Sequence, residues 1–172
     1  MQNNKGFTLI EMVVAVAIFA LLVGTTSNIF FSSIKNQKQG LAIQEVLDQT
    51  SYLMEYMSRS LRMARKDLAG DCTGTAKLNY SFDGQCLNFL NYNDECQQFC
   101  LEGTRVKDEN DNYLTSASLQ INAFSVVLSG ATQPPVDYLQ PRVTISLDVT
   151  GEEQTSMKLQ TTISQRNLDI RK

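Results

Sequence analysis

The chain has 172 residues with 15 basic and 18 acidic side chains, a net charge of -3, and neither histidine nor tryptophan. An acidic balance with no basic patch argues against direct electrostatic capture of nucleic acid, and the missing histidine removes the commonest acid–base and metal-binding side chain. Catalysis is therefore not expected, and no catalytic or metal-binding residue is assigned.

Residues 1–6 are polar, with Lys5 as their one cation. They are too short for the charged region of a conventional secretory signal, and no A-x-A cleavage site comes after the apolar run that follows them. From Phe7 to Phe31 the sequence is apolar except for Thr8, Glu11 and a softer tract, Gly24-Thr25-Thr26-Ser27-Asn28. As a helix this stretch would be about 37 Å long, enough to cross a ~30 Å hydrocarbon core with tilt. Lys5 on one side is matched by Lys35 and Lys38 on the other, so charge does not set the orientation. Glu11 is the anomaly, because an unpaired carboxylate costs roughly 2.5–3.5 kcal/mol at the bilayer centre and so marks a function.

Lys5-Gly6-Phe7-Thr8-Leu9-Ile10-Glu11 followed by an apolar helix closely resembles the type IV prepilin signal of type IV pilins and the pseudopilins of type II secretion and competence systems. The resemblance implies cleavage between Gly6 and Phe7 by a prepilin peptidase, then N-methylation of Phe7. It also implies that Glu11 pairs with the new amino terminus of a neighbouring subunit, since two opposite charges in low dielectric relieve one another's desolvation cost. One departure is that many major pilins carry a proline in this helix, whereas the prolines here are Pro134, Pro135 and Pro141. Gly24 and the tract after it would have to supply any loosening.

Beyond the apolar run, Ile43, Leu47, Thr50, Met54, Met57, Leu61 and Ala64 recur at steps of four and three, predicting an amphipathic helix laid on a sheet. Gly40 is its soft point, and Glu55 with Arg59 is a surface pair at helical spacing. The helix is expected to stop between Lys66 and Ala69, with Gly70 just past its end.

Cys72, Cys86, Cys96 and Cys100 lie in one window and behind an export-like N-terminus, which reads as disulfides; a four-cysteine zinc site is the alternative, but no CxxC is present. Connectivity is open among three pairings. The preferred one is Cys72 with Cys86 and Cys96 with Cys100, each closing a local loop, the second requiring a turn or helix-like geometry.

Strand periodicity begins with Leu78, Tyr80 and Phe82, turns at Asp83-Gly84, and resumes from Cys86 to Leu90. A polar loop, Asn91 to Glu95, precedes a cysteine-bounded segment ending at Gly103. Asp108-Glu109-Asn110-Asp111-Asn112 places oxygen side chains as a calcium loop does, but Tyr113 and Leu119 stand where that loop needs Gly and Glu. It reads as a solvated turn; no cofactor is expected, with calcium as the alternative. Leu119 to Leu128 is an apolar strand, and Gly130 to Leu139 a loop. Val143, Ile145, Leu147 and Val149, then Met157, Leu159, Thr161 and Ile163 across a turn at Gly151-Glu152-Glu153, predict an antiparallel hairpin with one buried face.

The expected fold is α+β and pilin-like: a long N-terminal helix, its first half membrane-spanning, packed on an antiparallel sheet. Its parts are a leader (1–6), a transmembrane helix (7–31), an amphipathic continuation (32–68) and an extracytoplasmic β-rich domain (69–172). Gln160 to Asn167 resembles the C-terminal segment of the J- or W-type minor pilins, which implies a minor subunit of a tip or priming complex. Implied partners are other pilins, the peptidase, an inner-membrane assembly platform and the bilayer. The implied location is the cytoplasmic membrane, then a pilus or pseudopilus. The competing reading is a membrane-anchored adhesive or DNA-uptake module at the tip, distinguished by normal filaments with lost attachment when the gene is deleted.

Overall fold

The computed structural model describes residues 6–132 and 139–166, and the chain divides into two units, 1–41 and 42–172. Lys5, Pro134-Pro135 and Asn167 lie outside the described residues. A single helix, α1 (Leu9–Arg62), contributes to both units.

Residues 9–23 of α1 are apolar around the helix but for Glu11, polar residues become frequent from Thr25 onward, and among the described residues none before Ala42 is buried. The helix meets the length and composition of a membrane span. Its apolar stretch has no polar face to turn to water, so lipid or other chains must cover it. It runs through Gly24 and Gly40 without interruption; the expected soft point at Gly40 is regular helix.

The second unit combines the remainder of α1 with two antiparallel meanders. One contains β1 (Tyr80–Phe82), β2 (Cys86–Leu90), β3 (Cys96–Glu102) and β4 (Arg105–Lys107); the other contains β5 (Gln120–Ser129), β6 (Arg142–Thr150) and β7 (Ser156–Ser164). Turn chemistry fixes the joints. The Asp83 carboxylate accepts hydrogen bonds from the Gln85 and Cys86 N–H groups at 2.8 and 2.6 Å, which closes the β1–β2 turn, and Gly84 beside it has φ +101°. Between β6 and β7, a short 3-10 turn (Glu152–Gln154) is closed by the Gly151 N–H donating to Thr155 O at 2.8 Å.

Val46, Leu53, Met57 and Leu61 of α1 share one core with Leu87, Phe89 and Phe99 of the first sheet and Phe124, Ile145 and Val149 of the second. Each fully buried side chain of this size stabilises by about 1.5–3 kcal/mol. The sheets meet through the edge-to-face rings of Phe82 and Phe124, 5.8 Å apart, and through the Ile121 N–H donating to Thr104 O at 2.8 Å. The β6–β7 hairpin matches its predicted alternation: Val143, Ile145, Leu147 and Val149 are buried, as is Ile163.

Four features differ from the sequence reading. There are two sheets, because β5 pairs only with β6 and not with the first meander. Three residues, Arg105 to Lys107, form a strand too short to show a period. Helix α1 ends at Arg62, short of Lys66, because Arg65 and Asp67 donate their N–H groups to Leu90 O and Leu78 O and so join the sheet. The buried stripe is Ala42, Val46, Thr50, Leu53, Met57 and Leu61, leaving Ile43 and Leu47 at 38% and 40% exposure. The β6–β7 turn packs tightly on this stripe: a Cβ at Gly151 would overlap Val46 Cγ2. Thr50 tolerates burial because its hydroxyl donates to Val46 O at 2.6 Å.

Candidate functional site

Gly6, Phe7 and Thr8 precede the helix in irregular, exposed backbone, with Phe7 at 84% exposure. Nothing approaches within 4 Å of where a Cβ on Gly6 would stand. The peptide bond between Gly6 and Phe7 is thus exposed and unencumbered, one residue from the helix cap.

Thr8 is that cap. Glu11 Oε2 accepts hydrogen bonds from both the Thr8 N–H and the Thr8 hydroxyl at 2.9 Å, while the Glu11 N–H donates to Thr8 Oγ1 at 3.4 Å. This Thr-x-x-Glu arrangement is a reciprocal capping box, satisfying donors that the first turn would otherwise leave orphaned. Glu11 therefore has a local role in starting the helix besides any role between subunits.

The polar tract further along α1 is internally satisfied. The hydroxyls of Thr25 and Thr26 donate to Leu22 O at 3.0 Å, Ser27 to Val23 O at 2.8 Å, and the Asn28 amide to Gly24 O at 3.0 Å. Back-bonding of this kind leaves no hydroxyl seeking a partner in hydrocarbon, so the tract is compatible with a membrane or filament interior.

All four cysteines are bridged, as Cys72–Cys96 and Cys86–Cys100, correcting the preferred local pairing. The cause is strand geometry. Cys96 and Cys100 lie in one continuous strand, β3, about 13 Å apart at extended rise, whereas Cys86 and Cys100 are direct partners across β2 and β3 with Cα atoms 4.0 Å apart. Cys72 reaches Cys96 because Asp67 shapes the intervening loop: its carboxylate accepts from the N–H groups of Gly70, Cys72 and Thr73 at 2.7–2.9 Å.

Asp108 in the calcium-like stretch is turned inward on its own loop, accepting from the Asn110 and Asn112 N–H groups at 2.9 and 2.8 Å. Its oxygens do the work of an Asx turn. Among the described residues, no cluster of three or more acidic or cysteine side chains is arranged to hold an ion.

Gln165 was not singled out by sequence pattern, yet it locks the end of α1 to both sheets. It is 1% exposed; its amide donates to Ala64 O and accepts from Asn79, each at 2.8 Å, and its own N–H donates to Pro141 O at 3.0 Å. With the Tyr80 hydroxyl donating to Leu61 O at 2.7 Å and the Arg166 N–H to Arg62 O at 2.8 Å, it satisfies the last carbonyls of the helix. In the sequence it stands two residues beyond Ile163, inside the Gln160 to Asn167 segment, with no pattern that marks its side chain as a clamp.

Residues 1–27 match the prokaryotic N-terminal methylation motif. No curated protein and no solved structure matches the chain significantly.

Proposed function

We propose that this chain, a protein of the type IV pilin and pseudopilin family by its methylation signal, is a minor subunit inserted in the cytoplasmic membrane and assembled into a pilus or pseudopilus. The observation that carries the reading is the coincidence, in one N-terminal stretch, of that signal with an apolar helix that nothing in its own chain buries. Prepilin peptidase cuts between Gly6 and Phe7, Phe7 is N-methylated, and Glu11 pairs with the amino terminus of a neighbouring subunit. Residues 69–172 face outward as the extracytoplasmic β-rich domain, held by two disulfides suited to an oxidising compartment. An inner-membrane assembly platform and the bilayer are the further partners, and a tip or priming complex is the place in the filament that the C-terminal resemblance favours. The chain acts as a substrate of processing enzymes and not as a catalyst.

Mass spectrometry of the protein purified from cells with active prepilin peptidase tests this. The expected first residue is N-methyl-Phe7, and an intact Met1 terminus would overturn the processing claim.

A further inference from the structure

The two bridges cross in the sequence. Cys72 skips Cys86 to join Cys96, 24 residues on, and Cys86 skips Cys96 to join Cys100, 14 residues on. Pairing each cysteine with the next one would instead give Cys72–Cys86 and Cys96–Cys100, and the fold excludes both. Cys86 stands across from Cys100 and Leu90 across from Cys96, so Cys86 and Cys96 occupy diagonal corners of the β2–β3 ladder, at least about 13 Å apart. Cys72, with its Cα 5.2 Å from that of Cys96, is then at least about 8 Å from Cys86, beyond the roughly 7 Å that a bridge spans. Cys96 and Cys100, in one strand, are about 13 Å apart.

We propose that this chain is a substrate of a thiol–disulfide isomerase outside the cytoplasmic membrane, which converts bridges between consecutive cysteines into the crossed pair before the domain folds; the inference rests on the export reading. A chain anchored by α1 and exported from that helix onward delivers its cysteines in the order Cys72, Cys86, Cys96, Cys100. Cys100 arrives 14 residues after Cys86, about 1–3 s at synthesis rates of ~5–20 residues per second. During that interval β3 is absent, and nothing reserves Cys86 for Cys100. The thiol that Cys86 meets is Cys72, and a disulfide-donating oxidase of the compartment joins them, then joins Cys96 to Cys100, one oxidase disulfide being reduced for each bridge formed. These bridges keep β2 from aligning with β3 and leave Leu87, Phe89 and Phe99 outside any core.

The rearrangement itself consumes no oxidant. An isomerase thiolate attacks Cys72 Sγ: a bond between the two sulfurs forms, the bond from Cys72 to Cys86 breaks, and its electron pair leaves on Cys86 as a thiolate. Cys86 then attacks Cys100 and expels Cys96, and Cys96 attacks Cys72 and expels the isomerase thiolate. Two bridges exist before and after, and the isomerase is regenerated. Attack first at Cys86 reaches the same product through Cys72, Cys96 and Cys100. Folding makes the exchange one-directional, because only the crossed pair lets β2 and β3 align and bury their side chains.

The test expresses the full chain in two strains, one with and one without the extracytoplasmic isomerase. Free thiols are alkylated at harvest, and bridged peptides are mapped by mass spectrometry without reduction. With the isomerase, Cys72–Cys96 and Cys86–Cys100 should predominate; without it, peptides joined as Cys72–Cys86 should rise about fivefold or more. An isomerase whose second active-site cysteine is replaced by alanine should be recovered disulfide-linked to this chain at Cys72 or Cys86. Cys72→Ala with Cys96→Ala leaves a pair with nothing to cross, so its Cys86–Cys100 bridge should form equally in both strains. Equal native pairing in the two strains, accumulation of some other bridge, no linked isomerase, or the same dependence on the isomerase in the double variant would each overturn the isomerisation. Failure of the export reading looks different: all four cysteines alkylated in both strains, which would remove that reading and the isomerisation with it.

Discussion

Glu11 caps the helix and, in the proposed assembly, also pairs with a neighbour's amino terminus, and a single substitution can separate the two. Its carboxylate completes the capping box with Thr8, and glutamine serves the same position in such boxes, whereas only the carboxylate can pair with an amino terminus. Glu11→Gln should leave cleavage and helix initiation intact while cutting incorporation into filaments about tenfold or more, read by immunoblot of sheared fractions. Glu11→Ala should lose both roles, and normal incorporation of either variant would remove the charge-pairing role. Asp67 presents a different balance. Burial alone would push its carboxyl up, but the N–H groups of Thr73, Cys72 and Gly70 and the Thr73 hydroxyl stabilise the anion and hold it below the ordinary carboxylate range. A folded value below the unfolded one means that the stability it contributes is complete above the unfolded value of about 4 and is lost as pH falls through the folded value. Asp67→Asn should therefore cost about 1–3 kcal/mol at neutral pH and flatten the acid limb of the stability profile. Near-ultraviolet dichroism of the full chain in detergent, followed through thermal unfolding at several pH values, would check this; an unchanged acid limb would contradict it.

At the scale of elements, the junction of α1 with the β6–β7 turn is the tightest contact on the buried face of the helix that a glycine makes. Gly151 has φ -103° and ψ -163°, open to any residue, so what demands glycine there is space and not backbone strain. Gly151→Ala should destabilise by about 1–3 kcal/mol because Val46, β-branched in a helix, has no rotamer to retreat into. Adding Val46→Ala should recover part of that loss, and thermal unfolding of the single and double variants would detect it. Periodicity alone could not choose between the stripes beginning at Ala42 and Ile43, since both carry apolar residues at helical steps; the buried one is the stripe whose Val46, Leu53 and Leu61 join the core shared with the sheets. The same limit governed the cysteines. Sequence proximity favoured Cys96 with Cys100, but once β3 runs straight through both, they are held apart and Cys100 faces Cys86 on the next strand.

Across the whole molecule, the parts that depend on local chemistry were readable in the sequence. The apolar run from Phe7, the methylation signal, the helix–sheet composition of residues 42–172 and the β6–β7 hairpin follow from hydrophobic periods and turn residues that act over a few positions. What depends on residues distant in the chain was not readable. The split into two sheets, the early end of α1, the disulfide pairing and the Gln165 clamp all arise from contacts across long sequence separations. Gln165 binds Ala64 O and Asn79, and Arg166 meets Arg62, only because β7 returns along the helix. Thus the sequence by itself determined the apolar helix, the match to the methylation motif and the element types, because short motifs and helix or strand periods are local properties of the chain. Tertiary structure alone decided which faces are buried and which cysteines and charges become neighbours, because those outcomes depend on register and packing between segments that no local pattern encodes.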